Sequence, residues 1–404
     1  MRAYLEFLRT PYATRLLGGT LLGRLPNGMG ILAVVLFTRA QGGGYSLAGA
    51  LAAVHGLAGA AGQPVLGRAM DRLGQSRVLL TGAVLSAVGF GAFAFAGLSP
   101  LPVAVGAVVL AGFTSPPLEA GLRALWPAVL PSPAQVQAAY ALDAAAQEVI
   151  FTVGPLLVVG AAALSPGLAL LLTGALGVAG TIVVTTSRPS RSWRGAAREA
   201  DWAGALRSPG LRLLLMALGS VGIALGVLSV AVVTYADAIG TATASGLLLA
   251  ANAAGALAGG LVYGARPRTG PAHRRLPLLM TGLAVGYLPL MAAPGLPLML
   301  GLAFVSGLFL APVLACSFTI VDGLAPRGTV TEAFAWVVAA MGGGAALGSA
   351  AAGVAGDLAG VSGAFAGEAV GGLLALGLCL LGRRLLRGAD RPVETVAQAQ
   401  PSSA

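Results

Sequence analysis

Runs of about twenty apolar residues alternate along the chain with short polar separators, and that length is what an α-helix needs to cross a bilayer. Reading the separators as loops predicts spans at 15–38, 46–67, 77–98, 101–126, 138–162 and 166–186. After a polar stretch over 187–209 the pattern resumes at 210–235, 242–263, 276–294, 297–321, 330–355 and 362–386. The ten-residue alternation of a barrel strand is missing, and lipid-facing backbone must close its hydrogen bonds within its own segment, so the spans are helices. The pattern predicts an all-α membrane protein with twelve transmembrane helices. It divides into a six-helix bundle over 1–186, a central loop over 187–209, a second six-helix bundle over 210–387 and a disordered tail over 388–404.

The two halves repeat. Gly112, Pro117 and Pro131 return 195 residues later as Gly307, Pro312 and Pro326. Gly62 and Gly67 return at 197 as Gly259 and Gly264, and Gly23, Gly30 and Thr38 return at 196 as Gly219, Gly226 and Thr234. A near-constant offset across successive helices implies two parallel six-helix repeats with a cavity between them.

Composition removes the competing classes. At 57% hydrophobic residues and mean hydropathy +0.87 the chain is not a soluble domain, and its 61 glycines suit helices that approach closely in lipid. The net charge of +10 is carried by arginine alone, since the sequence has no lysine. Apart from Arg24 and Arg39, the arginines collect near alternate inter-helix loops and the termini, which is the positive-inside pattern rather than a nucleic-acid footprint. The arginine-free connections at 98–101, 165–167 and 293–296 are then external, and both termini are cytosolic in a plasma-membrane protein. The apolar run after Arg2, Arg9 and Arg15 is too long for a signal peptide and is kept as the first span. Cys316 and Cys379 lie inside spans, and the only two histidines, His55 and His273, are far apart, so neither a metal, a cofactor nor a membrane-embedded enzyme is expected. A phosphate-binding Walker loop is impossible without lysine.

Between the second and third spans stands Gly67-Arg68-Ala69-Met70-Asp71-Arg72-Leu73-Gly74-Gln75-Ser76-Arg77, read as a tight polar turn. With twelve spans and the six-plus-six repeat, it resembles the major facilitator superfamily over about residues 10–388. The family signature, Gly-x-x-x-Asp-Arg/Lys-x-Gly-Arg/Lys-Arg/Lys, is matched by Gly67, Asp71, Arg72 and Gly74. Gln75 and Ser76 replace its basic pair, and Arg77 follows one place later. The resemblance implies a transporter fold in which this loop latches the two halves in the outward-facing state. The second half keeps Gly264 but has Arg268 where the carboxylate belongs, so that copy is degenerate. Gly154-Pro155 in the fifth span looks like the Gly-Pro core of the motif associated with drug–proton antiporters. The other reading is a proline kink between close-packed helices. The fourth span has Pro116-Pro117-Leu118-Glu119-Ala120-Gly121-Leu122-Arg123 in place of the Arg-x-x-Gln-Gly pattern of many exporters.

Charges inside the bilayer are costly and mark function or locked packing. Arg24, Glu119 and Glu148 are expected about 10 to 15 Å deep at 1.5 Å per residue, with Arg123 and Asp143 forming a second pair nearer the cytosol. Two stacked polar layers follow. Either Glu148 or Glu119 takes up a proton in one access state with Arg24 as counter-ion, Glu148 being favoured, or the group is a permanent ion pair. His55 is a proton relay or, more simply, a backbone hydrogen-bonding residue. Asn27 and Asn252 are helix glue, or Asn27 faces the cavity beside Pro26. Glu332 caps the eleventh span and attracts an arginine of the 67–77 segment. The function expected is secondary active transport of a small organic molecule, as proton-coupled efflux by a single chain in the lipid bilayer. Its partners are the substrate and protons. Proton-coupled uptake of a sugar or other nutrient is the alternative, and a membrane scaffold or sensor the reading from another class.

Overall fold

The computed structural model describes residues 9–196, 203–241, 243–265 and 270–390. The tail beyond 390, with Arg268 and Arg2, lies outside them. The first half contains α1 (Ala13–Ala40), α2 (Tyr45–Leu73), α3 (Gln75–Ala96), α4 (Leu101–Phe113), α5 (Leu118–Val129), α6 (Pro133–Leu164) and α7 (Pro166–Thr185). A short α8 (Arg188–Ser192) and a 3-10 turn (Gly204–Arg207) lead to the second half. That half comprises α9 (Pro209–Ala238), α10 (Thr243–Ala265), α11 (Ala272–Tyr287), α12 (Leu296–Gly307), α13 (Leu310–Leu324), α14 (Val330–Leu381) and α15 (Arg383–Leu386).

Eleven segments among the described residues are long and apolar enough to cross a membrane. In that count α4 and α5 form one span, α12 and α13 another, and α14 supplies two, on either side of Gly360 at φ 64°. The 29-residue α2, diluted by His55, Gln63 and its charged end, completes the twelve. The fourth span breaks at 114–117, where Pro116 and Pro117 bring no N–H and restrict the residue before them. The tenth breaks at 308–309, at the near edge of the 309–312 that an offset of 195 gives.

The repeat is also visible in packing. Gly112 lies against the His55 carbonyl and Gly62 against Phe113, while Gly307 lies against the Asn252 carbonyl and Gly259 against Leu308. A Cβ at any of these four positions would strike backbone, so the glycines set how closely α2 approaches the fourth span and α10 the tenth.

Two halves meet at one end. One apolar core joins Leu122, Trp126 and Tyr140 of the first half to Phe318, Phe334 and Val337 of the second. Away from the arginine-rich end each half keeps its own core: Phe37, Phe90 and Phe93 belong to one, and Val227, Met299 and Phe365 to the other. The bundle is thus joined at its arginine-rich end and divided at the opposite end.

Candidate functional site

The segment expected to be a polar turn is helical through Leu73, and the reversal is made by Gly74 alone at φ 88°. Running on past the apolar stretch of 46–67, the helix carries Asp71 toward the other half. Its carboxylate Oδ1 accepts from the Thr331 N–H at 3.1 Å and Oδ2 from the Glu332 N–H at 2.9 Å. These are orphan donors of the first turn of α14, whose own N-cap residue, Thr329, turns its hydroxyl to the Pro326 carbonyl at 2.8 Å instead. Asp71 therefore caps a helix of the opposite half. At the pseudo-equivalent junction, α6 is capped within its own half by Ser132, which accepts from the Gln135 N–H at 3.3 Å.

Gly67 lets the two helices close, since a Cβ there would meet the Ala335 Cβ at 2.8 Å. Arg68 Nη2 pairs with Glu332 Oε1 at 2.6 Å, and the Ala205 N–H donates to the same oxygen at 3.4 Å. Arg72 and Arg77 are exposed. Burial raises the Asp71 carboxyl from 3.8 to about 6, against the lowering pull of the Glu332 and Thr331 donors.

Below this junction the two expected polar layers are a single network. Arg24 Nη1 donates to Asp143 Oδ1 at 2.7 Å, and its Nη2 donates to Glu119 Oε2 at 2.7 Å and Gln147 Oε1 at 3.0 Å. Arg123 Nε donates to Asp143 Oδ2 at 2.7 Å and its Nη2 to Glu119 Oε2 at 3.1 Å. Two guanidinium groups and two carboxylates, each side chain at most 7% exposed, balance one another. Asp143 and Gln147 share a face of α6 at i,i+4, whereas position 148 is a further 100° round the helix. The Glu148 side chain itself lies outside the described residues. The network also leans on the other half, because the Arg123 guanidinium stands 3.8 Å over the Phe318 ring, which packs edge to face on both Tyr140 and Phe334.

The remaining candidates are dispersed. His55 Nδ1 is 3.4 Å from the Val108 carbonyl and its ring packs on Phe90. Asn252 Nδ2 donates to Ser306 Oγ at 2.9 Å and the Ala303 carbonyl at 3.4 Å, the matching place in the second half. Asn27 is exposed on a continuous α1 that carries Pro26 within it, so the helix is not broken there. Gly154 packs on Gly28, a Cβ at 154 meeting Gly28 Cα at 3.1 Å, and Pro155 follows inside α6.

The sequence model described as Major Facilitator Superfamily matches residues 16–278 and 214–402. The chain belongs to the major facilitator superfamily. No curated protein sequence matches it. Among solved structures, a bacterial homologue of the iron transporter ferroportin in an outward-facing state is similar at TM-score 0.71 and 15% identity, covering 94% of this chain and 99% of that one. The human organic anion transporter MFSD10 (TETRAN) is similar at TM-score 0.64 and 18% identity, over 91% and 98%. The E. coli fucose:proton symporter FucP is similar at TM-score 0.68 and 14% identity, over 92% and 98%. At these identities the likeness is one of fold.

Within this superfamily fold one buried charge escapes the sequence reading. Glu368, in the last span, is 0% exposed, and neither carboxyl oxygen has a hydrogen-bond partner among the described residues. A lone carboxylate in a Gly- and Ala-rich run was legible as a charge within a span. Gln147, Phe318 and Tyr140 carried no such signal, because their part depends on which residues the two halves bring together.

Proposed function

We propose that this protein is a secondary active transporter that moves a small organic molecule across the plasma membrane by alternating access, as proton-coupled efflux. Its arginine-rich end and both termini are cytosolic, and one chain suffices. The observation that carries the reading is the Asp71 cap on α14, which ties the halves at one end while their opposite ends keep separate cores. A carrier must break such a tie once per cycle, and a few hydrogen bonds between two rigid bundles are suited to that.

Iron, organic anion and fucose in the names of the similar proteins span too wide a range to choose a substrate. This chain's own residues favour an organic one: among the described residues no group of three His, Cys, Asp or Glu side chains converges on a metal-sized site. Coupling is assigned to the charges of α1, α5 and α6, with Glu148 as the proton carrier and the Arg24–Glu119–Asp143–Arg123 network as the fixed charges of the same three helices.

Reconstituted protein under an imposed pH gradient tests this. Substrate, found first by a thermal-shift screen of antibiotics, sugars and amino acids, is expected to move against the proton flow, and Glu148→Gln to lose that drive. Substrate moving with the protons would establish symport instead, and transport indifferent to the gradient would end the coupling proposal.

A further inference from the structure

The segment after the sixth span is packed against the Gly74 turn. The Ser76 and Ser190 hydroxyls are 3.2 Å apart, a Cβ at Gly74 would meet Arg194 Nη1 at 2.9 Å, and Gly195 lies against the Asp71 carbonyl. Three contacts therefore connect residues 190–195 to the turn that aims Asp71 at α14.

On the other side of this segment, between it, the start of α1 and the end of α5, is a cavity of about 620 Å³. Leu125 and Val129 form its apolar wall, and Tyr12, Arg188, Trp193 and Arg194 line it as well. Arg188, Arg191 and Arg194 are exposed, and none forms an ion pair among the described residues. Arg194 is nonetheless held in place, its Nη1 donating to the Arg191 and Trp193 carbonyls at 2.9 and 2.8 Å. Two guanidinium groups on one groove match the oxygens of a phosphodiester. Tyr and Trp beside an apolar wall are what the boundary between headgroup and acyl chain favours. A soluble anion would use the arginines and leave the apolar wall wet. A lipid uses both.

We propose that this groove binds the phosphate headgroup of an anionic phospholipid from the leaflet at the arginine-rich end. The bound lipid holds residues 190–195 against the Gly74 turn and so favours the latched state. The effect on the latch rests on the alternating-access reading above, whereas the binding site does not.

The test uses the full chain in nanodiscs of phosphatidylcholine with and without phosphatidylglycerol. Phosphatidylglycerol is expected to raise the unfolding midpoint and, with spin labels on the two halves, the fraction joined at the arginine-rich end. Arg188→Gln with Arg194→Gln should weaken phosphatidylglycerol binding by about five-fold per arginine, while the equally charged loss Arg383→Gln with Arg384→Gln should not. Equal midpoints in the two lipids would overturn the site, as would equal losses in the two double variants, which would mean a diffuse surface charge. Protection by glycerol phosphate in pure phosphatidylcholine would assign the groove to a soluble anion and overturn the lipid. If phosphatidylglycerol binds selectively but Asp71→Asn leaves the spin-label distances unchanged, the latch reading has failed and the lipid site stands.

Discussion

Arg24 and Arg123 each touch both Glu119 and Asp143, so none of the four can be removed without leaving a buried charge in excess. Arg24→Met is expected to destabilise the protein by about 3–5 kcal/mol, the usual result of orphaning one partner of a buried pair. Adding Asp143→Leu should recover part of that loss, because Arg123 and Glu119 remain as a neutral pair. Chemical denaturation of the single and double variants in detergent measures both, and a double variant worse than the sum of its parts would refute the charge balance. Glu368 presents the opposite case. Its oxygens are desolvated without compensation, so Glu368→Met, which fills similar space without polar atoms, should gain about 1–3 kcal/mol. A fall in the thermal midpoint would show that the carboxyl has a favourable partner.

Among the helices, spans were the most legible feature, because bilayer thickness imposes a length that apolar runs reproduce whatever their tertiary contacts. Where α2 ends was not legible. Its last two turns carry Arg68, Asp71 and Arg72, which reads locally as a loop, and they stay helical because α14 supplies partners for Asp71 and Arg68. The same dependence hid the merging of the two charge layers, since Asp143 faces Arg24 only once α1 and α6 cross at Gly28 and Gly154. The Asp71 cap carries a pH consequence. Its Asp71 is raised by burial from 3.8 to about 6, and returns toward the hydrated value when the helices part. The joined state therefore binds more protons between about pH 4 and 6, so acidification through that window favours it, and above about pH 6 the cost of the buried carboxylate is constant. Spin-label distances across the junction between pH 7 and 5 should show the joined fraction rising, with Arg68 and Glu332 as the neighbouring charges. Asp71→Asn should flatten that rise, and a fall on acidification would reverse the assignment.

At the scale of the molecule, the repeat pairs α2 with α14 and α10 with α6 across the halves, and the sequence differs between these two pairs at the decisive place. Asp71 crosses from one half to cap the other, while Ser132 serves α6 from within its own half, so among the described residues the cross-half cap belongs to the α2 junction. At the α6–α10 junction the approach is one of small residues, a Cβ at Gly260 meeting the Ala145 Cβ at 2.9 Å. Opening the arginine-rich end then requires loss of the Asp71 bonds and separation of Gly67 from Ala335, where a Cβ on Gly67 would lie 2.8 Å from its neighbour. A disulfide needs its two Cβ atoms about 3.5–4.5 Å apart, so Gly67→Cys with Ala335→Cys should cross-link after a shift of about an ångström. The native Cys316 and Cys379 are buried and do not compete for an oxidant. Cross-linked carrier in proteoliposomes is expected to stop transporting and to recover on reduction, while still binding substrate offered from the opposite side. Undiminished transport by the oxidised pair would mean that this junction stays closed throughout the cycle and that access alternates elsewhere.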